Sequence, residues 1–195
     1  MHLSELSTTQ IAIIVVVAVA AAVIAGFGIW LSIRKRRTER LRTQFGGAEY
    51  TRAVEEVGSR RQAEEVLDER AERVEGLHIQ PLAPGDRARF LESWRRVQAR
   101  FVDGPGGAVT EADQLLGDVM STRGYPVSDF EQRAADISVD YPLVLENYRS
   151  AHKIALRQAQ GQASTEELRQ AMIHYRTLFE ELVGEPALVR AKAAS

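Results

Sequence analysis

Apolar residues follow two different patterns along this chain. Residues 11–33, IAIIVVVAVAAAVIAGFGIWLSI, form one unbroken run without a charge in 23 positions. From about position 88 onward, apolar residues instead recur at three- and four-residue spacing, the period of a helix with one buried face. Phe90, Trp94, Val97 and Phe101 mark the first such stripe, and Ala108, Ala112, Leu115, Leu116, Val119 and Met120 the second. Phe130, Ala134 and Ile137 mark a shorter third, and Leu145, Tyr148, His152 and Ala155 a fourth. Leu168, Met172, Tyr175, Phe179 and Leu182 make the last. No segment alternates with period two, so no strand or hairpin is predicted. The pattern predicts an all-α fold whose residues 88–184 form a compact bundle of about five helices.

The residues between the stripes support these boundaries. Asp103-Gly-Pro-Gly-Gly107 interrupts the first pair of helices, and Arg123-Gly124-Tyr125-Pro126 ends the second. A basic last turn followed by glycine and then proline is a helix stop, because glycine accepts the left-handed conformation. Ser128 with Glu131, and Ser164 with Glu167, have the spacing of capping boxes. Asp140 or Tyr141 is placed to cap the fourth helix, with Pro142 in its first turn. Gly161 ends that helix; Gly184 and Pro186 close the last.

Upstream, residues 48–76 have only a broken apolar stripe, interrupted by Arg60, Arg61 and Glu64 and weakened at Gly58. They read as a long, mostly solvated stalk helix. Gly46-Gly47 reads as a flexible joint at the end of a basic juxtamembrane linker, residues 34–47. Two prolines and a glycine make residues 77–87 an extended connector, and residues 185–195 a tail expected to fray.

As a helix, the run 11–33 would extend roughly 34 Å, enough to cross a hydrocarbon core of about 30 Å. It is too long for the apolar region of a cleaved leader and lacks a basic start. Arg34, Lys35, Arg36, Arg37, Arg40 and Arg42 follow it, and no Lys or Arg precedes it. By the positive-inside rule, the short N-terminus (residues 1–10) faces outward and the chain from Arg34 onward faces the cytoplasm. The same six residues suit the anionic lipids of the inner leaflet, at about 1 kcal/mol for each basic residue near the surface. Ala18, Ala22 and Gly26 recur every four residues, a face on which two such helices could approach closely and form a homo-oligomer.

Charge narrows the function further. Subtracting the six basic residues, and Glu5 and Glu39, from totals of 25 basic and 27 acidic residues leaves 19 and 25 after position 42, a net −6. A nucleic-acid binder carries its cationic footprint on the folded domain, so nucleic acid is not an expected ligand. With no cysteine, thiol catalysis and zinc–thiolate sites are excluded. No histidine pair stands at metal spacing, and Gly104-Pro-Gly-Gly107 lacks the Lys and Ser/Thr of a phosphate loop. No metal or cofactor is expected.

One constellation remains. Tyr148 and His152 are i,i+4 neighbours on an apolar face, and Asp140 or Asp136 could lie beside them. A Tyr–His–Asp group can transfer protons. More often such a group is a satisfied polar network at the edge of a core.

The stretch WRRVQARFVDGPGGAVTEADQLLGDVMSTRGYPVSDFEQRAADISVDYPLVLENYRSAH, with FGGAEYTRAVEEVGSRRQAEEVLDERAERVE before it and ASTEELRQAMIHYRTLFEELV after it, resembles a family of uncharacterised bacterial proteins. These are found mainly in actinobacteria and described as single-pass membrane or secreted hypothetical proteins. The resemblance covers most of residues 45–183 and implies no activity. Its members often carry His where this chain has Tyr141, so it brings no metal or catalytic role to that position here.

Three readings follow. The first is a membrane-anchored cytoplasmic helical protein that binds or scaffolds an unidentified protein partner without catalysing a reaction. The second is a membrane-tethered enzyme with a site around Tyr148 and His152. The third is a structural subunit assembled through its transmembrane helix.

Overall fold

Seven helices account for nearly all of the computed structural model, which describes residues 8–126 and 128–184, without the side chains of residues 8–20 and 31. They are α1 (Thr8–Val57), α2 (Arg60–Glu75), α3 (Pro84–Arg100), α4 (Pro105–Arg123), α5 (Phe130–Asp140), α6 (Pro142–Ala159) and α7 (Thr165–Val183). Among the described residues there is no strand, so the all-α expectation holds. The chain divides into two units, one ending at Thr43 and one beginning at Gln44. The expected outward N-terminus before Thr8, the expected tail 185–195 and the side chain of Ala18 lie outside the described residues.

The first unit is the N-terminal part of α1. Val23, Ile24, Phe27, Ile29, Trp30 and Ile33 are all more than half exposed, at 52–72%. Phe27 stacks on Trp30 at 5.8 Å, and the Arg34 guanidinium lies 5.4 Å from the Trp30 ring centroid. Nothing would lie within 4 Å of a Cβ at Gly26. Among the described residues, no helix is long and apolar enough to cross a membrane. The side chains of residues 11–20, the first part of the apolar run, fall outside that description.

In the second unit, α7 packs against α6 and α4, α3 lies along α4, and α5 lies along α6. The predicted stripes form the shared core. Trp94 stacks on Phe179 at 4.7 Å, and Val109, Leu116, Ile137, Tyr148, Tyr175 and Leu182 are inaccessible to solvent. Burying one such large apolar side chain contributes roughly 1.5–3 kcal/mol, which is what holds short helices together that would not persist alone. Phe101, Phe130 and Ala155 pack on the edge of this core instead of inside it.

Helix ends mostly follow the sequence signals. Gly124 closes α4 at φ 102, and a Cβ there would come within 2.4 Å of the His78 carbonyl oxygen. Glycine is therefore required both for the backbone conformation and for the close approach of the connector. The Ser164–Glu167 capping box forms. The Ser128–Glu131 box does not: Asp129 caps α5, its carboxylate accepting the Gln132 N–H at 2.9 Å. A carboxylate also interacts favourably with the positive end of the helix dipole, which favours Asp129 over its neighbour. Tyr141 precedes Pro142 at the start of α6 without a side-chain cap.

The stalk differs from expectation. In place of one solvated helix there are two, separated at Gly58, whose φ of 73 closes α1 before Ser59 opens α2 in extended conformation. Gly46 is itself non-helical within α1, at φ 72 and ψ 157, where the joint was expected. Nor is the segment mostly solvated. Tyr50, Ala53, Ala63, Leu67 and Val74 are buried, and α2 packs against α5. Charged residues make the attachment. The buried Glu49 accepts from Arg70 at 2.8 Å and from Arg149 of α6 at 3.0 Å. Tyr50 donates to the buried Glu64 at 2.9 Å, and Arg73 donates twice to Asp136 of α5, at 3.1 and 2.9 Å. Burial lowers the pKa of Arg149, against the raising effect of Glu49.

Removing one partner of a buried ion pair leaves the other charge uncompensated. Glu49→Gln is expected to destabilise the fold by about 3 kcal/mol, read by denaturant unfolding of the detergent-solubilised chain. A loss under about 0.5 kcal/mol, the level of an ordinary surface substitution, would mean that this network does not hold the segment.

Candidate functional site

Tyr148 and His152 project from α6 one turn apart, as their spacing predicts. The Tyr148 side chain is wholly buried, and His152 is half-buried. Phe130, the first residue of α5, lies flat on the His152 ring with centroids 3.5 Å apart and planes 4° from parallel. The same phenyl ring meets Tyr148 at 4.9 Å, tilted by 50°. Tyr148 in turn tilts against Tyr175 of α7 at 6.3 Å.

Neither acid proposed from the sequence joins them. Asp136 is held by Arg73 and by Gln132, whose amide donates to it at 2.8 Å. Asp140 accepts from the Tyr125 hydroxyl at 2.5 Å. Burial raises the Asp140 pKa, against the lowering effects of the Tyr125 hydrogen bond and of Arg123. Both aspartates lie near the C-terminal end of α5, away from the residue that stacks on His152.

The acid that does join them is Asp113, on α4. Tyr175 donates its hydroxyl to one Asp113 oxygen at 3.1 Å, and Arg133 of α5 approaches the other at 3.6 Å. Asp113 and Arg133 also act electrostatically on both Tyr148 and His152. Four helices thus bring together Asp113, Arg133, Tyr148, His152 and Tyr175, with the Phe130 ring against His152 and Tyr148. Asp113 was not singled out from sequence because it sits between Ala112 and Leu115 in a stripe that reads as core. Its one available signal is a carboxylate flanking that stripe, too common a pattern to be decisive.

Electrostatics keep the cluster's phenols protonated and its imidazole neutral. Burial raises both the Tyr148 and Tyr175 pKa values, and Asp113 adds to each. Burial lowers the His152 pKa; Asp113 opposes that shift, and Arg133 reinforces it. Arg133 opposes the rise at Tyr148, through its charge and its hydrogen-bonding reach. Among the described residues, five buried side-chain atoms lack a hydrogen-bond partner, and three belong to this cluster: Arg133 Nε, the Tyr148 hydroxyl and His152 Nδ1. Among the described residues, no group of acids and histidines is arranged to hold a metal ion.

The other notable polar groups in the bundle have structural partners. Arg123 Nη1 donates to the Tyr141 hydroxyl and to the Leu182 carbonyl, the latter at 2.8 Å. Tyr141 is thereby committed to a structural bond. His174 pairs with Asn147 at 3.0 Å. A shallow groove between α3 and α7 is lined by Phe101, Met172 and Ile173 and flanked by Arg169 and Arg176. The six basic residues Arg34, Lys35, Arg36, Arg37, Arg40 and Arg42 are all exposed on α1.

No protein-family model matches the chain, and neither do the curated proteins or the solved structures compared with it.

The His152 pKa fixes the sign of a pH effect. Because burial lowers it from 6.5, the folded chain binds this proton less readily than the unfolded chain. Stability from this group is full above about pH 6.5 and declines as pH falls below that value. Thermal unfolding between pH 7.5 and 5 should show this decline in the native chain and a shallower one in His152→Gln. Equal slopes would assign the effect to another group.

Proposed function

We propose that this chain is a single-pass membrane protein whose helical bundle acts in the cytoplasm as a non-enzymatic binding or scaffolding module. The observation carrying this reading is the solvent exposure of Val23, Ile24, Phe27, Ile29, Trp30 and Ile33. At 100° per residue these positions spread around most of the helix circumference, so no single neighbouring helix could cover them. A helix apolar on all sides is at home in lipid. The described stretch continues an uncharged run that begins at Ile11 and is long enough to span a bilayer.

The charges set the orientation. Six basic residues follow the run and none precedes it, which favours an outward N-terminus and a cytoplasmic bundle. Trp30 with Arg34 over its ring suits the membrane interface, where an indole and a snorkelling guanidinium both find partners. The exposed basic turn then meets anionic headgroups of the inner leaflet. The net −6 of the chain beyond position 42 keeps the bundle itself from adhering to that surface or to nucleic acid.

A non-enzymatic reading of the bundle is supported by what its polar residues do. Arg73, Arg123, Arg149, Asp136, Asp140 and Tyr141 are engaged in bonds that join helices. A partner protein remains the expected ligand of the module.

Because the chain has no cysteine, Ser4→Cys and Ser195→Cys each carry a single thiol for an impermeant reagent in intact cells. Labelling at position 4 and protection at 195 until the membrane is opened is the expected result. The reverse pattern would overturn the orientation. Release of the protein from membranes by alkaline carbonate would overturn the anchor.

A further inference from the structure

We propose that the groove between α3 and α7 docks an amphipathic helix of a partner protein, with acidic residues seven positions apart and two apolar residues between them. This deepens the reading of the bundle as a binding module, and rests on it. The first ground is the pattern on α7. Arg169, Met172, Ile173 and Arg176 stand at i, i+3, i+4 and i+7, which places them along one helix face. All four line the groove, together with Gln98 and Phe101 of α3. The two arginines are therefore about 10 Å apart along the helix, with the apolar pair between them. Ile173 is 44% exposed on this face, and Val102, next to Phe101, is 82% exposed.

Shape supplies the second ground. Trp94 stacks on Phe179, and Phe101 shares the groove with Met172, so seven residues forward on α3 match seven backward on α7. The two helices run antiparallel here, and such neighbours leave a furrow into which a third helix can lay its apolar face. The groove holds about 180 Å³, against the roughly 150 Å³ of an apolar cavity that admits benzene. A leucine or phenylalanine side chain of the partner fits that space.

Charge supplies the third. Both charged residues that line the groove are arginines. Helix α3 adds five more arginines against Asp86 and Glu92, a net +3 within a chain that is net −6 beyond position 42. Arg169 holds Glu166 through Nε and Nη2, and Arg176 holds Glu180 through Nε. These pairs are exposed and lie within one helix, a class that contributes little and is screened by salt. Nη1 of Arg169 and both terminal nitrogens of Arg176 take no part in them, so each guanidinium has donors left for a partner carboxylate. A basic helix would meet like charge at both ends of the groove, which selects the acidic one.

The test uses the full chain in phosphatidylcholine nanodiscs and the fluorescence anisotropy of labelled, stapled peptides. The probe is an alanine-based helix with Glu at i and i+7 and Leu at i+3 and i+4. One twin has Lys for Glu, and a second has Ser for Leu. The probe should bind the native chain about tenfold tighter than either twin. Ile173→Asp should weaken it by about tenfold, and Arg169→Glu combined with Arg176→Glu should invert the preference toward the lysine twin. The basic turn on α1 attracts acidic peptides in every variant, so the inversion is what assigns binding to the groove. All three positions are exposed, and circular dichroism checks that the variants fold. Binding unchanged by these substitutions would overturn the groove as the site while leaving the bundle a binding module. No binding of any of the three peptides would overturn the proposal outright. Ile173→Cys, whose thiol is the sole one in the chain, separates the other occupants. Disulfide-linked dimers formed in membranes would put a second copy on the groove, and quenching of a bimane on that thiol by brominated lipid would put the bilayer there. Either result would contradict the proposal.

Discussion

A guanidinium with almost no contact with water ties the bundle together. Arg123, 1% exposed, sits in the last turn of α4 and reaches three separate parts of the chain. Its Nη1 donates to the Tyr141 hydroxyl at the α5–α6 junction and to the Leu182 carbonyl in the last turn of α7. Its Nε donates to the Gln80 carbonyl in the connector at 3.3 Å, and its own carbonyl accepts the Gln80 N–H at 2.8 Å. Burying an unpaired charge would be prohibitive, so the location of Arg123 is tolerable only if all these partners stay in place. Gly124 beside it must be glycine for the connector to come this close. Chain path, helix end and buried charge are thus a single constraint.

The same logic recurs farther out. The segment from Gln44 through α2 meets the bundle through the Glu49–Arg70–Arg149 group and the Arg73–Asp136 pair, with a modest apolar set beneath. Buried ion pairs are weak sources of stability but punish misplacement severely, so they fix register more than they add free energy. A bundle built this way presents a rigid, well-defined surface. The same rigidity holds the Asp113–Arg133–Tyr148–His152 cluster in place where α4, α5, α6 and α7 meet.

Much of this fold can be read from the chain because helices that bury one face must repeat apolar residues every three or four positions. Phe90, Trp94 and Val97, and Leu168 through Leu182, sit in the core as that rule requires. The stops at Gly124, Gly161 and Gly184 follow from local backbone chemistry. The stalk was misread because Glu49 and Glu64 look like solvated residues when considered alone. Each is buried against a partner 14 to 100 positions away, and no local pattern encodes such a pairing. The capping error at Ser128 arose between two adjacent residues that can both cap. Within the candidate site, the Tyr148–His152 pairing was legible because both lie on one helix. Asp113 and Arg133 were not, because α4 and α5 bring them in only through tertiary packing.

The central claim is that the Arg123 fork joins the connector, the α5–α6 junction and the end of α7 into one cooperative unit. Hydrogen exchange followed by mass spectrometry on Arg123→Lys tests it directly, since lysine keeps the charge but cannot reproduce the fork. The account predicts that protection falls together in residues 77–82, around residue 141 and in the last turn of α7. Loss of protection confined to the last turn of α4 would contradict it.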